Sequence, residues 1–550
     1  MKLPIFVKIF NYKMHKYLSN LIFILVISLG FANCANRGTP TGGDKDITPP
    51  VITKSIPENF STNFTGKEIK IYFDEYIKIK NLRKQLIISP PMDPEPEITP
   101  LGSASKYITI KIFDTLQPNT TYAFNFGESI VDNNEENPYP YYRYVFSTGS
   151  YIDSLSVKGE IKDAVNRKAD EFVSVLLYDI DSTFTDSIIY KQKPKYITNT
   201  LDSTTTFKLE NLKAGKYLMI ALKEENGNYT FQQKTDKIGF LKDYITVSTD
   251  TTTIHTLKLF NEDIDFKATR PKLIAENKIA FGYEGDYKNM KINLLSNSPE
   301  DFESKITKDQ EADSLLYWYK PKFEADSLLF LVSNKSYADT LTVKIKAIEK
   351  DSLVIKQLQN RTLSFNENFE IEANIPLTII DEEKITILDK DSVKVDFTTA
   401  FDALKNRYTF IFEKKEQERY KMQMLPETFT DFFGNKNDTL NYSLSTKQYS
   451  DYGNVRLTLQ NAAYPVIIQL TNENGEVKAE QYSTNPEVLD FLNVNPSNYY
   501  VRVIFDANGN KKYDTGNYLK KIQPERVSHF EIEAVRAGWD IIETLRFNKK

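Results

Sequence analysis

The 550-residue sequence is poor in the residues that carry chemistry or covalent bracing. A single cysteine, Cys34, excludes an internal disulfide, so the folded chain has no covalent brace. Three histidines, His15, His255 and His529, leave little for imidazole catalysis or histidine-bound zinc. The formal net charge of −5, from 70 basic and 75 acidic residues, gives no one-signed field to hold nucleic acid or an anionic membrane surface, and there is no basic arm. No glycine-rich phosphate loop, Ser/His/Asp signature or nucleophilic cysteine is present. Asp74-Glu75 and Glu224-Glu225 are adjacent carboxylates, but neighbours on a strand point to opposite faces and do not flank one scissile bond. An enzyme is not expected. Long apolar runs are also missing, apart from Leu21 to about Phe31, which is shorter than the roughly 18–20 residues a helix needs to cross a bilayer.

That run is nonetheless informative by its flanks. Lys2, Lys8, Lys13 and Lys16 precede it and Ala32-Asn33-Cys34 follows, the order of an export signal that ends at a thiol. Met14 is an alternative start to Met1, because Met14 to Asn20 makes a compact basic leader. The pattern resembles a bacterial lipoprotein signal, in which this cysteine becomes the acylated first residue. The resemblance implies a signal peptide over 1–33, a lipid on Cys34 and the membrane as a partner through that lipid. Residues 34–47, rich in Gly, Pro, Thr and small polar residues, cannot bury enough apolar area to fold and are expected to be a tether. Acidic residues directly after the acylated cysteine would resemble a surface-export signal. Here Ala35, Asn36 and Arg37 intervene before Asp44, so an outer-membrane lipoprotein facing the periplasm is favoured over one at the surface.

The mature chain is expected to be all-β, in several domains. Thr, Tyr, Phe, Ile and Val come in short runs divided by Asn, Asp, Gly and Pro, and the length exceeds what one core supports. Alternation in Glu68 to Phe73 and in Ile108 to Ile112 is the period of strands with one face on a core. Over 48–150 the phrases TPPVI, IYFDEYI, LQPNTTYAFNF, a turn at Asp132 to Asn134 and YVFSTG resemble an S-layer-type bacterial Ig-like domain, which implies a structural spacer without catalytic residues. Over 151–262, VKGEIKD and LKAGKYLMIAL resemble a prealbumin-like or carboxypeptidase-regulatory-like β-sandwich. Independently, Ala214-Gly215 suits a turn needing positive φ and puts Tyr217, Met219 and Ala221 on one face.

A β-rich middle domain is expected over 263–357. Its Trp318, between Tyr317 and Tyr319, suits either a sugar-stacking platform or, preferably, an interior filled with aromatics. The first domain then recurs over 358–448 and the second over 449–550. Tyr122 and Tyr420 share one interval with Ser147 and Ser445, and Tyr217 and Tyr499 share another with Glu224 and Asp506. Two Ig-like plus prealbumin-like pairs around a different middle domain would build a rod or scaffold.

Two patterns offer chemistry. In FDANGNKKYD, the side chains of Asp506, Asn508, Asn510 and Asp514 could present oxygen to calcium, as an EF-hand loop opens. Lys511 replaces the required glycine and Asn517 the closing glutamate, and the same spacing also makes a metal-free hairpin tip. Asp-Ser/Thr followed by an aliphatic residue or threonine recurs at Thr115, Ser154, Ser187, Ser314, Ser327, Thr340, Ser352, Ser392 and Thr439. It resembles the O-glycosylation sequon of exported proteins in one group of Gram-negative bacteria; it also makes a good turn before a strand. The function expected is a non-catalytic, lipid-anchored envelope spacer and interaction scaffold with an envelope protein or glycan as partner. The alternative is a carbohydrate- or protein-binding surface module using aromatics such as Trp318.

Overall fold

The computed structural model describes residues 45–200, 204–249, 253–322 and 324–548. The leader, Cys34 and most of the tether lie outside the described residues. The alternating stretches form strands whose burial alternates with them: in Glu68–Ile79, Ile69, Ile71, Phe73 and Ile77 face inward and the residues between them do not. Each such aliphatic or aromatic side chain contributes about 1.5–3 kcal/mol on leaving water.

Five pairs of facing sheets follow one another along the chain. In the first, Ile52–Ile56, Glu68–Ile79, Ser105–Lys111 and Glu97–Thr99 form one sheet, with Ile130–Asp132 pairing the far half of Glu68–Ile79. Ile87–Ser89, Thr121–Asn125 and Arg143–Ser147 form the other, and Ile71, Ile110, Phe124 and Phe146 fill the space between. The fourth pair repeats this order with Ile355–Gln357, Phe369–Ala373, Arg407–Phe412 and Phe397–Asp402 against Ile385–Leu388, Arg419–Met424 and Leu440–Ser445.

The second pair sets Tyr196–Asn199, Ser174–Asp179, Gly215–Lys223 and Lys237–Phe240 against Thr206–Leu212, Leu155–Asp163 and Ile254–Leu259. The fifth sets Val477–Ser483, Val466–Thr471, Tyr500–Phe505 and Val527–Glu531 against Val488–Val494, Gly453–Gln460 and Asp540–Arg546. In both, the last strand lies parallel to the first. The third pair, around Lys278–Glu284 and Ser314–Lys320 on one side and Ser327–Asn334 and Tyr337–Lys344 on the other, closes a core of its own.

The duplication extends to individual hydrogen bonds. Tyr122 Oη accepts from the Gln117 amide (2.9 Å), while Thr148 Oγ1 accepts from the Thr120 amide (2.9 Å) and donates to the Gln117 carbonyl (2.7 Å). At one constant displacement, Tyr420 Oη accepts from Lys415 (2.7 Å), and Thr446 Oγ1 accepts from Glu418 (3.0 Å) and donates to the Lys415 carbonyl. These are corner tyrosines, which fix how a strand enters its sheet. Likewise Tyr217 Oη donates to the Lys213 carbonyl (3.1 Å) and Tyr499 Oη to the Asn495 carbonyl (2.9 Å).

Two expectations need correction. The positive φ near Gly215 belongs to Asn211 (φ 60°), held there because its side chain donates to the Asp153 carbonyl (2.8 Å) and accepts from Arg143 of the first sandwich. More consequentially, the sandwiches do not form a rod. Gly215–Lys223 is buried on both faces: Tyr217, Met219 and Ala221 point into the second core as expected, and Leu218, Ile220 and Leu222 into a further apolar cluster. Ile87 of the first sandwich and Tyr518 of the fifth complete that cluster. Lys234 pairs with Glu284 (2.6 Å), the Lys308 amide donates to the Leu404 carbonyl (2.6 Å), and Phe365 stacks on Tyr449 (4.3 Å), joining the second to the third, the third to the fourth and the fourth to the fifth. With the fifth packed on the second, four sandwiches make a closed circuit, and the first packs on the second through Arg143 and Ile87.

Removing a corner hydroxyl leaves a backbone amide without its acceptor, at about 1–2 kcal/mol. Tyr122→Phe and Tyr420→Phe should therefore accelerate hydrogen exchange at the Gln117 and Lys415 amides respectively, each leaving the other corner protected.

Candidate functional site at the seam of the second and fifth sandwiches

The seam is built from the segment that follows Tyr500–Phe505. Asp506, wholly buried, turns the chain: Oδ1 accepts from the Gly509 (2.9 Å) and Asn510 (3.1 Å) amides, and Oδ2 from Lys511 (2.9 Å). Gly509 takes the left-handed conformation this turn requires (φ +74°). The Asn508 and Asn510 side-chain nitrogens both donate to Asp514 Oδ2, and Glu525 accepts from the Ala507 and Asp514 amides. The four residues singled out as calcium ligands are thus brought together, bonded to one another and to the main chain. Among the described residues, no group of three or more His, Cys, Asp or Glu side chains is arranged to hold a metal. In the earlier copy Glu224 does the corresponding work, accepting from the Asn228 (3.1 Å) and Tyr229 (2.8 Å) amides beside Gly227 (φ +67°). Burial raises its carboxyl above the ordinary range, against those two bonds.

Beyond Asp514 the chain crosses to the second sandwich. Thr515 donates to the Asn261 carbonyl and the Tyr518 amide to the Glu262 carboxylate. The Tyr518 ring, fully buried, meets Phe240 edge-on (5.4 Å, 83°). Lys521 lies over that ring (4.0 Å) and pairs with Asp186 (2.6 Å), and Gln523 donates to the Phe240 carbonyl (2.9 Å). Gly516 is required for this approach, because a Cβ there would stand 2.6 Å from the Phe260 ring.

The opposite side of the seam reciprocates. His529 Nε2 donates to the Val165 carbonyl (2.8 Å). Arg167 lies over the Tyr500 ring (4.0 Å) and pairs with Glu531 (3.2 Å), and Lys168 pairs with Glu473 (2.8 Å). Burial pushes the His529 imidazole below its usual pKa; the Arg502 and Arg167 charges add to this, while the Val165 bond and Asp163 oppose it. Burial pushes Glu262 up, against the bonds it accepts from Tyr518 and Gln233. An aromatic anchor at the centre with ion pairs at the rim is the anatomy of a protein–protein interface.

The other residues singled out in the sequence do not join this site. Trp318, weighed as a stacking platform, is 1% exposed and packs with Leu316, Ile375 and Phe432 between the third and fourth sandwiches, its Nε1 donating to Thr307 Oγ1 (2.9 Å). Thr115, Ser154, Ser187, Ser327, Thr340, Ser352, Ser392 and Thr439 are exposed. Ser314 differs: it begins an interior strand, is 6% exposed, and donates its hydroxyl to Asp309 (2.7 Å), so it presents nothing to solvent. Cys34 lies outside the described residues.

Tyr518 carries the seam and was not singled out from the sequence. The available signal was the run Tyr217 to Leu222, apolar at every position where a half-exposed strand would alternate.

This is an all-β chain of tandem β-sandwiches. A family model described as a bacterial Ig-like domain matches residues 46–148, which hold the first sandwich. No curated protein matches the sequence. Among solved structures the chain is similar to domains 1–6 of the surface layer protein SbsC, at 10% identity and a TM-score of 0.16, over 88% of this chain and 67% of that one. It is also similar to the Bacillus anthracis TIE protein (12%, 0.15, 92% and 76%) and to the major pilin subunit of Bacillus cereus (14%, 0.13, 72% and 99%).

Truncating the anchor, Tyr518→Ala, should cost about 3–5 kcal/mol at the seam. Hydrogen exchange should rise over 515–524 and 237–240, while the cores of the first and fourth sandwiches keep their protection. Calcium should leave the melting temperature unchanged, since Asp506 already meets three amides; a rise that Asp506→Ala abolishes would instead assign the loop to a hard cation.

Proposed function

We propose that this protein is a non-catalytic, lipid-anchored cell-envelope protein whose sandwiches act as a spacer and interaction scaffold. It is held in the outer membrane by acylated Cys34, faces the periplasm and takes an envelope protein or glycan as its partner. The observation that carries this reading is the use made of the conspicuous carboxylates. Asp132 accepts from the amides of Asn134, Glu135, Glu136 and Asn137; Asp431 accepts from those of Phe433 and Asn435; Glu224 and Asp506 close the matching loops of the other pair. Groups committed to holding turns are not free to transfer protons or attack a substrate. The match of a bacterial Ig-like family model to the first sandwich supports an envelope setting. Eight exposed Asp-Ser/Thr hydroxyls are the proposed glycan attachment points. Trp318, the aromatic named for the sugar-binding alternative, is buried and gives that alternative no support.

Metabolic labelling with a fatty acid tests the anchor. The wild type should incorporate label and fractionate with membranes, and Cys34→Ala should lose both properties. Label retained by the variant, or a wild type released without lipid, would overturn the reading.

A further inference from the structure

Arg502 lies mid-strand in Tyr500–Phe505, on the face that meets the second sandwich, and is only 6% exposed. Its terminal nitrogens donate to Gln469 Oε1 (3.1 Å) and the Gly475 carbonyl (2.9 Å), both neutral, and its Nε has no partner. Arg407 makes the contrast. Its Nε is also buried without a partner, but its terminal nitrogens meet Glu370 (3.4 Å) and Glu372 (3.0 Å), so its charge is matched. Arg502 forms no ion pair among the described residues. An unmatched buried charge costs several kcal/mol, and guanidinium stays protonated rather than relieve that cost by titration.

Arg502 also borders open space. The seam contains two clefts of about 290 and 260 Å³, which share Asn166, Arg167 and His529 in their walls. Arg502 and Lys168 line one, Lys162 and Lys258 the other. The carboxylates there already have partners: Asp163 accepts from the Val165 and Asn166 amides and shares Lys237 with Asp170, Glu160 pairs with Lys162, Glu473 with Lys168 and Glu531 with Arg167 itself. Arg502 has no carboxylate bonded to it, the field of Asp163 opposing its charge from nearby, and Arg167 is presented beside it on the Tyr500 ring.

We propose that this seam binds a small oxyanion of the phosphate or dicarboxylate kind, held between Arg167 of the second sandwich and Arg502 of the fifth. Guanidinium groups suit such ligands because their planar donors match two oxygens at once. Each cleft has room for the anion and for water at about 30 Å³ per molecule. Because the two arginines belong to different sandwiches, the anion bridges the seam and stabilises the closed circuit by mass action. The site is independent of the anchoring and spacer role.

The test is a thermal titration of the full chain with inorganic phosphate and, in a separate arm, malonate, at ionic strength held constant with chloride. At least one probe should give a rise of about 2–4 °C that grows with the logarithm of its concentration. The arm that responds tells phosphate from dicarboxylate. Arg167→Gln and Arg502→Gln should each abolish the rise. Arg167 sits at the edge of the seam, so its variant carries the test if Arg502→Gln does not fold. A flat response to both probes in the wild type, or an equal rise in Arg167→Gln, overturns the proposal.

Discussion

The architecture turns on one strand being covered from two sides. Gly215–Lys223 puts Tyr217, Met219 and Ala221 into the second core and Leu218, Ile220 and Leu222 into a second cluster on the opposite face, with Ile189, Phe231 and Phe260 of the same sandwich. A sheet with two apolar faces cannot leave either in water, and the second sandwich has only one partner sheet of its own. Ile87 from before it and Tyr518 from far after it complete the cover that its own Ile189, Phe231 and Phe260 begin. That requirement turns a string of sandwiches into a circuit, and it makes the second sandwich the unit on which its neighbours on both sides depend.

Polar residues are arranged to serve the same end. Asp132, Asp431, Glu224 and Asp506 each sit where a strand gives way to a tight loop and collect backbone amides that the ladder no longer pairs. An unmet amide in such a place would cost about as much as a lost hydrogen bond, so one carboxylate holds several otherwise homeless donors. The two copies of each sandwich use this device at matching positions. In the fifth, Asp506 also launches the longer excursion that carries Tyr518 across to the second.

Much of this was legible in the sequence. The alternation at Glu68 to Phe73, the intervals linking Tyr122 to Tyr420 and Tyr217 to Tyr499, and the inward set Tyr217, Met219 and Ala221 are local or repeated signals, and the strands follow them. The convergence of Asp506, Asn508, Asn510 and Asp514 was also readable, because Asx turns are closed within a few residues. What escaped was the identity of the cover. Periodicity shows that a face is apolar but not which distant segment meets it, so neither Tyr518 on Phe240 nor Trp318 on Phe432 could be read from position alone. Asn211 escaped for a related reason: its left-handed backbone is held by Arg143 of the preceding sandwich, not by the turn chemistry of its neighbours.

In the second and fifth sandwiches the opening strand lies alongside the closing one and runs in the same direction: Leu155–Asp163 beside Ile254–Leu259, and Gly453–Gln460 beside Asp540–Arg546. Tension applied between the two ends of such a sandwich draws these strands lengthwise past each other. The rungs of the ladder then share the load together instead of peeling apart one by one, which makes these the mechanically resistant links of the chain.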